Sequence, residues 1–398
     1  MGREGEVAPE LLAGFERENP GVRLRVEQLP WSAAHEKLLT AVAGDATPDV
    51  AQMGNTWLPE MAALGALEPL QPWLNMSRAV PAADYFEGIW RTNSVDGVAV
   101  GVPWYVDTRL LFVRRDLLLK AGVSEMPATW AEWLKACAAL QASGVKTPLF
   151  LPPPPEFEPL LALALQQDDE VLKDQGTRGN FSGPGFRRAL QFYMQLFERG
   201  FAPGLAGNTV ANIWQEIGRG TFAFYISGPW NIGEFKRRLP AELQDAWATA
   251  PLPGPTGLGA SVAGGASLVM FKRSTVKPLV WKLIEYLSRP AVQQQFYRLT
   301  GNLPPRRSTW GLPMEGAQTL ADDPHARAFF EQLSRVRATP GVPEWERIAQ
   351  EMQLAASRTV FSGVSVDETV SKLDARVDGI LDKRRWMMQQ KASRKVAA

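Results

Sequence analysis

The sequence predicts an α/β protein built as two lobes, and three observations carry that prediction. The chain has 398 residues, more than one ordinary core accommodates and enough for two lobes of roughly 150–200 residues each. Helix-like and strand-like patterns alternate along its first part, the rhythm of a largely parallel sheet covered by helices. No repeat of fixed period occurs, which excludes a solenoid.

In Pro9–Glu18, Leu11, Leu12 and Phe15 share one helical face, and Asn19-Pro20-Gly21 stops the helix. Val22, Leu24 and Val26 alternate with Arg23, Arg25 and Glu27, the pattern of a half-buried strand. Ser32 is placed to cap a helix ending at Gly44, Asp49–Met53 reads as a short apolar strand, and Trp57–Leu64 reads as a helix. Val98–Asp107 and Leu110–Val113 are strand-like. Thr129 and Glu132 form a capping box that opens a helix to Ser143. The proline run Pro152–Pro155 interrupts regular structure. Helices over Gly185–Arg199 and Val210–Gly218 and a strand over Thr221–Ile226 follow, and Gly228-Pro229-Trp230 opens another helix. Ala250–Gly265, dense in Gly and Pro, reads as a connection between lobes, with the buried-type strand Ser267–Phe271 behind it. Helices at Val280–Leu287, Ala291–Leu299, His325–Val336, Trp345–Val360 and Val366–Gln389 complete the chain.

Composition narrows the function. Acidic and basic residues are interspersed and the net charge is +1, so no concentrated basic face marks a nucleic-acid partner. The single cysteine, Cys137, excludes an internal disulfide and a multi-thiolate metal site, and its apolar helical setting reads as a buried, inert thiol. Only two histidines occur, His35 and His325, far apart and not spaced as metal ligands. The chain has neither the Gly-x-Ser-x-Gly turn of a hydrolase nucleophile nor a phosphate-cradling loop; Gly257, Gly259, Gly264 and Gly265 lack the required spacing and lysine. No cofactor or metal is expected. Carboxylates such as Glu4, Glu6 and Asp107 leave a glycoside-acting enzyme as an alternative, but they equally suit acceptors of sugar hydroxyls. The 14 tryptophans fit either reading, because the C–H face of a sugar packs on an indole ring. The longest uncharged run is dense in Pro and Gly, unlike a spanning helix.

A set of short motifs in fixed order carries a resemblance. They are Gly2–Glu6 (GREGE), Phe15–Pro20 (FERENP), Pro30–Leu39 (PWSAAHEKLL), Gly44–Pro59 (GDATPDVAQMGNTWLP) and Gly101–Asp107 (GVPWYVD). Gly218–Asn231 (GRGTFAFYISGPWN), Gly264–Met270 (GGASLVM) and Gly301–Arg307 (GNLPPRR) follow. In this order they resemble the family 1 extracellular solute-binding proteins of sugar ABC importers, the group that includes maltose- and trehalose-binding proteins.

The resemblance implies a type II periplasmic-binding-protein fold with a ligand cleft between lobes, the first holding residues 1–106 and 264–303 and the second 107–263 and 304–398. It implies a monomer outside the cytoplasmic membrane that binds a di- or oligosaccharide by lobe closure and passes it to membrane permease subunits. A phosphorylated polyol on the same fold is a further alternative. The implied ligand residues are Glu4, Asn55, Thr56, Trp57, Tyr105, Asp107, Trp230, Gly264, Gly265, Arg307 and Trp345. Asn55 and Thr56 would meet hydroxyls at a strand end where relatives often place an aspartate, with Trp57 and Trp230 as stacking faces. Gly264 and Gly265 would permit close approach or hinge rotation, and Arg307 would reach the cleft. Family members begin with a core strand and a leader ahead of the segment matching Gly2–Glu6. Met1 abuts that segment here, so the resemblance implies a natural start upstream.

Overall fold

A computed structural model describes residues 1–151, 156–203, 212–315 and 317–396. The proline run Pro152–Pro155 and the start of the helix expected from Val210 lie outside the described residues. The chain divides into two compact units. The first comprises Met1–Thr108, Gly228–Gly233 and Ala263–Pro343; the second comprises Arg109–Ser227, Glu234–Val262 and Glu344–Ala398.

In the first unit a three-stranded sheet has Gly264–Met270 at its centre, flanked by Val50–Gly54 and Val102–Asp107. Both pairings are antiparallel, which corrects the expectation of a largely parallel sheet. The reason is topological. One strand leaves the unit at Asp107 and another re-enters at Gly264, and these residues pair in register. Strands that leave and re-enter at one end must run in opposite directions. Helices Gly2–Glu18, Lys277–Leu287 and Pro290–Thr300 supply Leu11, Phe15, Ile284 and Phe296 to the core on this sheet.

The second unit has a four-stranded sheet in the order Trp247–Ala250, Leu110–Arg114, Phe224–Ser227, Leu149–Phe150. Only its last pairing is parallel. The capping box forms as expected, with the Glu132 N–H donating to Thr129 Oγ1 and the Thr129 N–H to Glu132 Oε2. Helix Trp130–Ala142 then buries Trp133, Cys137 and Leu140.

Three local expectations change. The first helix is longer than its apolar pattern, Gly2–Glu18 with Pro9 inside. Val22–Val26 adopts no strand, although Leu24 packs on the core as its alternation requires. The Leu24 N–H donates to Glu16 Oε1 at 2.8 Å rather than to a ladder; alternation fixes which side faces the core, but a strand also needs a backbone partner. Residues 304–343 group with the first unit rather than with the second lobe. They are held there by a Phe86 N–H bond to the Pro305 carbonyl (3.2 Å) and by Arg306, whose guanidinium meets Asp84 (2.7 Å) and the Ala79 and Ser288 carbonyls.

Candidate functional site

The strand Val102–Asp107 ends at the edge of the first unit's sheet and carries Tyr105 and Asp107. Their neighbours across the ladder are Gly264 and Gly265, and here glycine is obligatory. A Cβ on Gly264 would lie 2.2 Å from the Asp107 carbonyl oxygen, and one on Gly265 would lie 2.3 Å from that of Tyr105. Gly265 also has φ of +147°, where a side chain is strained. The sequence therefore brings two backbones closer than any other residue pair would allow.

Glu4 projects from the first turn of the helix Gly2–Glu18 into this region and is 7% exposed. Its Oε1 accepts from Asn302 Nδ2 at 2.7 Å, while Oε2 is buried with no partner. Gln52, on the strand Val50–Gly54, donates from Nε2 to the Tyr105 hydroxyl at 3.0 Å. Burial, followed by the Glu4 and Asp107 carboxylates, raises the Tyr105 phenol well above its usual value near 10. Tyr105 therefore stays protonated. The Tyr105 hydroxyl also approaches the Glu4 carboxylate and adds to that rise, so Glu4 Oε2, buried and short of donors, borders the hydroxyl of Tyr105.

The strand Val50–Gly54 leads into a short 3₁₀ turn, Asn55–Trp57. Asn55 is buried and donates from Nδ2 to the Ala263 carbonyl at 2.7 Å, which ties the turn to the residue before Gly264. Thr56 is half-buried beside it. Trp57 stacks on His35, with centroids 4.9 Å apart, and meets Trp31 edge-on at 5.5 Å. His35 Nε2 lies 2.8 Å from Glu60 Oε2, which fixes the ring behind the indole. Trp31, 37% exposed, presents an accessible indole beside Glu4: a Cβ on Gly2 would lie 3.2 Å from both the Trp31 ring and Glu4 Oε2.

Trp230 opens a helix whose first residues belong to this unit. Its ring folds back over Gly228, where a Cβ would lie 1.9 Å away. A Cβ on Gly301, which caps the helix Pro290–Thr300 and precedes Asn302, would lie 3.6 Å from the Trp230 carbonyl oxygen. The structure thus gathers Glu4, Asn55, Thr56, Trp57, Tyr105, Asp107, Trp230, Gly264 and Gly265 on the first unit. Arg307 also lies on the first unit, but against Phe86 rather than in this group. It is exposed, with its guanidinium 5.0 Å over the Phe86 ring. Trp345 belongs to the second unit, is 0% exposed and meets Phe157 edge-on at 6.2 Å, so in that unit it is a core side chain.

The sequence model of the family described as bacterial extracellular solute-binding protein matches residues 2–294. The chain belongs to this family. Among solved structures, this solute-binding protein is similar to the sugar-binding protein MalE of Xanthomonas citri. The two are 55% identical, 98% of each chain is covered and the TM-score is 0.92. The GacH receptor of Streptomyces glaucescens, at 24% identity, 96% coverage of each chain and a TM-score of 0.82, shares the fold. Among curated relatives, the maltodextrin-binding protein MdxE of Bacillus subtilis is 25% identical, covering 88% of this chain and 80% of its own.

Sequence reasoning missed three residues of this solute-binding protein that border the cluster. Gln52 and Asn302 were invisible because their roles depend on the register of one strand and on a helix cap. Trp31 lay inside a motif of the resemblance; the helix expected to be capped by Ser32 instead begins at Trp31, with Pro30 at its cap position. Arg337 touches the residue before the glycine pair through its backbone, its carbonyl accepting the Ala263 N–H at 2.8 Å, while its side chain is exposed.

Proposed function

We propose that this solute-binding protein captures a neutral di- or oligosaccharide of the maltose type and passes it to the membrane permease of an ABC importer. The observation that carries the reading is the pairing, on one unit, of a buried carboxylate oxygen without a donor (Glu4 Oε2) with the Trp57–Trp31 indoles. A pyranose offers complementary groups: hydroxyls for the carboxylate, Tyr105, Gln52 and Asn55, and an apolar C–H face for an indole. The likeness to a sugar-binding protein at 55% identity supports the same class of ligand. Such a protein works outside the cytoplasmic membrane, free or tethered, as a monomer that binds without altering its ligand. A micromolar affinity corresponds to about 8 kcal/mol, within the range of a few hydrogen bonds to charged groups plus ring stacking.

Isothermal titration across maltose, trehalose, sucrose, longer glucans and glycerol phosphate tests the proposal. Saturable heat from a gluco-oligosaccharide, with the sugar recovered unchanged, is expected. No heat from any sugar would overturn it, as would release of a cleaved product.

A further inference from the structure

The chain as a whole is almost neutral, at +1, but its charge is unevenly placed. The last helix, Asp382–Val396, holds Lys383, Arg384, Arg385, Lys391, Arg394 and Lys395 against Asp382 alone, so the rest of the chain is net acidic. The helix has two distinct sides. On the inner side Leu381, just ahead of it, is fully buried. Arg384 Nε donates to the Gly176 carbonyl at 3.1 Å and Arg385 Nη1 to the Thr177 carbonyl at 2.8 Å, while Arg385 also pairs with Asp382. These bonds pin the helix to a turn of the same unit.

Lys383, Trp386, Met387 and Lys391 follow the three- and four-residue spacing of a single helical stripe, and that stripe faces solvent. Trp386 is 60% exposed, more than any other described tryptophan, and Met387 is 44% exposed. Lys383 and Lys391 are exposed, and neither forms an ion pair among the described residues. An indole and a thioether exposed to this degree, between two ammonium groups, leave much of their apolar surface outside the unit's own packing. The combination matches what an interfacial helix needs. Indole rings settle at headgroup depth, apolar neighbours enter the acyl boundary, and lysines meet phosphate. An acidic protein surface would satisfy the lysines but would leave the indole and thioether unexplained.

We propose that this outer stripe docks the protein on an anionic phospholipid surface, with Trp386 and Met387 inserted at headgroup depth and Lys383 and Lys391 on the phosphates. The contact is weak and reversible, and it concentrates the carrier on the membrane that holds its permease. None of these residues lies in the site described above.

The test is flotation of the full chain with phosphatidylcholine vesicles with and without phosphatidylglycerol, at low and high salt. Binding is expected only with phosphatidylglycerol, and salt should weaken it because the Debye length contracts. Each lysine removed should weaken binding by about fivefold, so Lys383→Gln with Lys391→Gln should nearly abolish it, and Trp386→Ser should lower it further. Unchanged melting temperature and unchanged sugar affinity in these variants would show that fold and site are intact. Failure to float with phosphatidylglycerol would overturn the proposal. So would binding that both variants retain in full, or binding that requires an acidic permease protein in the vesicles.

Discussion

Glu4→Gln separates a binding role from a structural one, because the two move different observables. Glu4 is 7% exposed, with Oε1 taken by Asn302 and Oε2 without a donor. Glutamine has almost the same shape, and its amide oxygen can accept the same Asn302 N–H, so the fold loses little. The change falls on the other oxygen, where a charged acceptor becomes a neutral amide. Hydrogen bonds to charged groups contribute about 1.5–3 kcal/mol and neutral ones about 0.5–1.5. The difference, about 1–1.5 kcal/mol, corresponds to a roughly 5- to 15-fold weaker Kd. Titration calorimetry with the tightest sugar of the panel reads that loss, and thermal unfolding without ligand should shift by less than about 1 kcal/mol. Wild-type affinity in the variant would refute the assignment of Oε2 to ligand. A fall in melting temperature with no fall in affinity would show that Glu4 only braces Asn302.

Four further outcomes follow from the same geometry. Gly265→Ala, at φ +147° with 2.3 Å to the Tyr105 carbonyl, should cost at least about 1–3 kcal/mol in urea unfolding, whereas Gly257→Ala should cost less because nothing lies within 4 Å of its Cβ and its φ is not positive. Trp31→Leu should weaken sugar binding by about 1 kcal/mol or more through loss of the accessible indole, read by the same calorimetry. Tyr85, pushed up to about 12 by burial, and Tyr105, raised further above its usual value, remain neutral in the folded chain. A folded pKa above the unfolded one gives stability that is complete below about pH 10 and is lost as pH rises toward the folded value. Urea midpoints should therefore fall above about pH 10, less steeply in Tyr105→Phe. Cys137 is fully buried and burial raises its thiol pKa, so a thiol reagent should react only as fast as the second unit opens; rapid modification of the native protein would contradict that.

Much of this molecule was legible in its sequence, and the gaps have physical causes. Local signals held where the chemistry is local. The Thr129–Glu132 box formed, and the glycines of Gly264–Met270 occupy positions no side chain would fit. Tyr105 and Asp107 were named through the family resemblance of Gly101–Asp107, and the strand they end, Val102–Asp107, is buried almost throughout rather than alternating. Strand direction was not legible, since apolar pattern is the same in either sense and only the route of the chain sets it. Val22–Val26 shows the same limit, for alternation reports a buried face and not a partner. Arg307 follows two prolines in a polar stretch, and composition cannot tell a surface guanidinium stacked on Phe86 from one that reaches a ligand. Trp345 was ambiguous because an indole needed for packing and one needed for a sugar leave the same mark in a sequence.

The central strand Gly264–Met270 has a consequence for how the protein is made. Both of its ladder partners, Val50–Gly54 and Val102–Asp107, leave the ribosome long before it does. Until it arrives those two strands have exposed edges and no sheet to join, while most of the second unit is still being synthesised. Contacts this distant along the chain are slow to form and leave apolar edges open in the meantime. The site inherits the same timing, since Glu4 waits for Asn302 and Asn55 waits for the Ala263 carbonyl. A nascent chain stopped before residue 264 would own most of the proposed ligand residues and still lack the arrangement that joins them, so on this proposal sugar binding reports the completion of the first unit rather than its beginning.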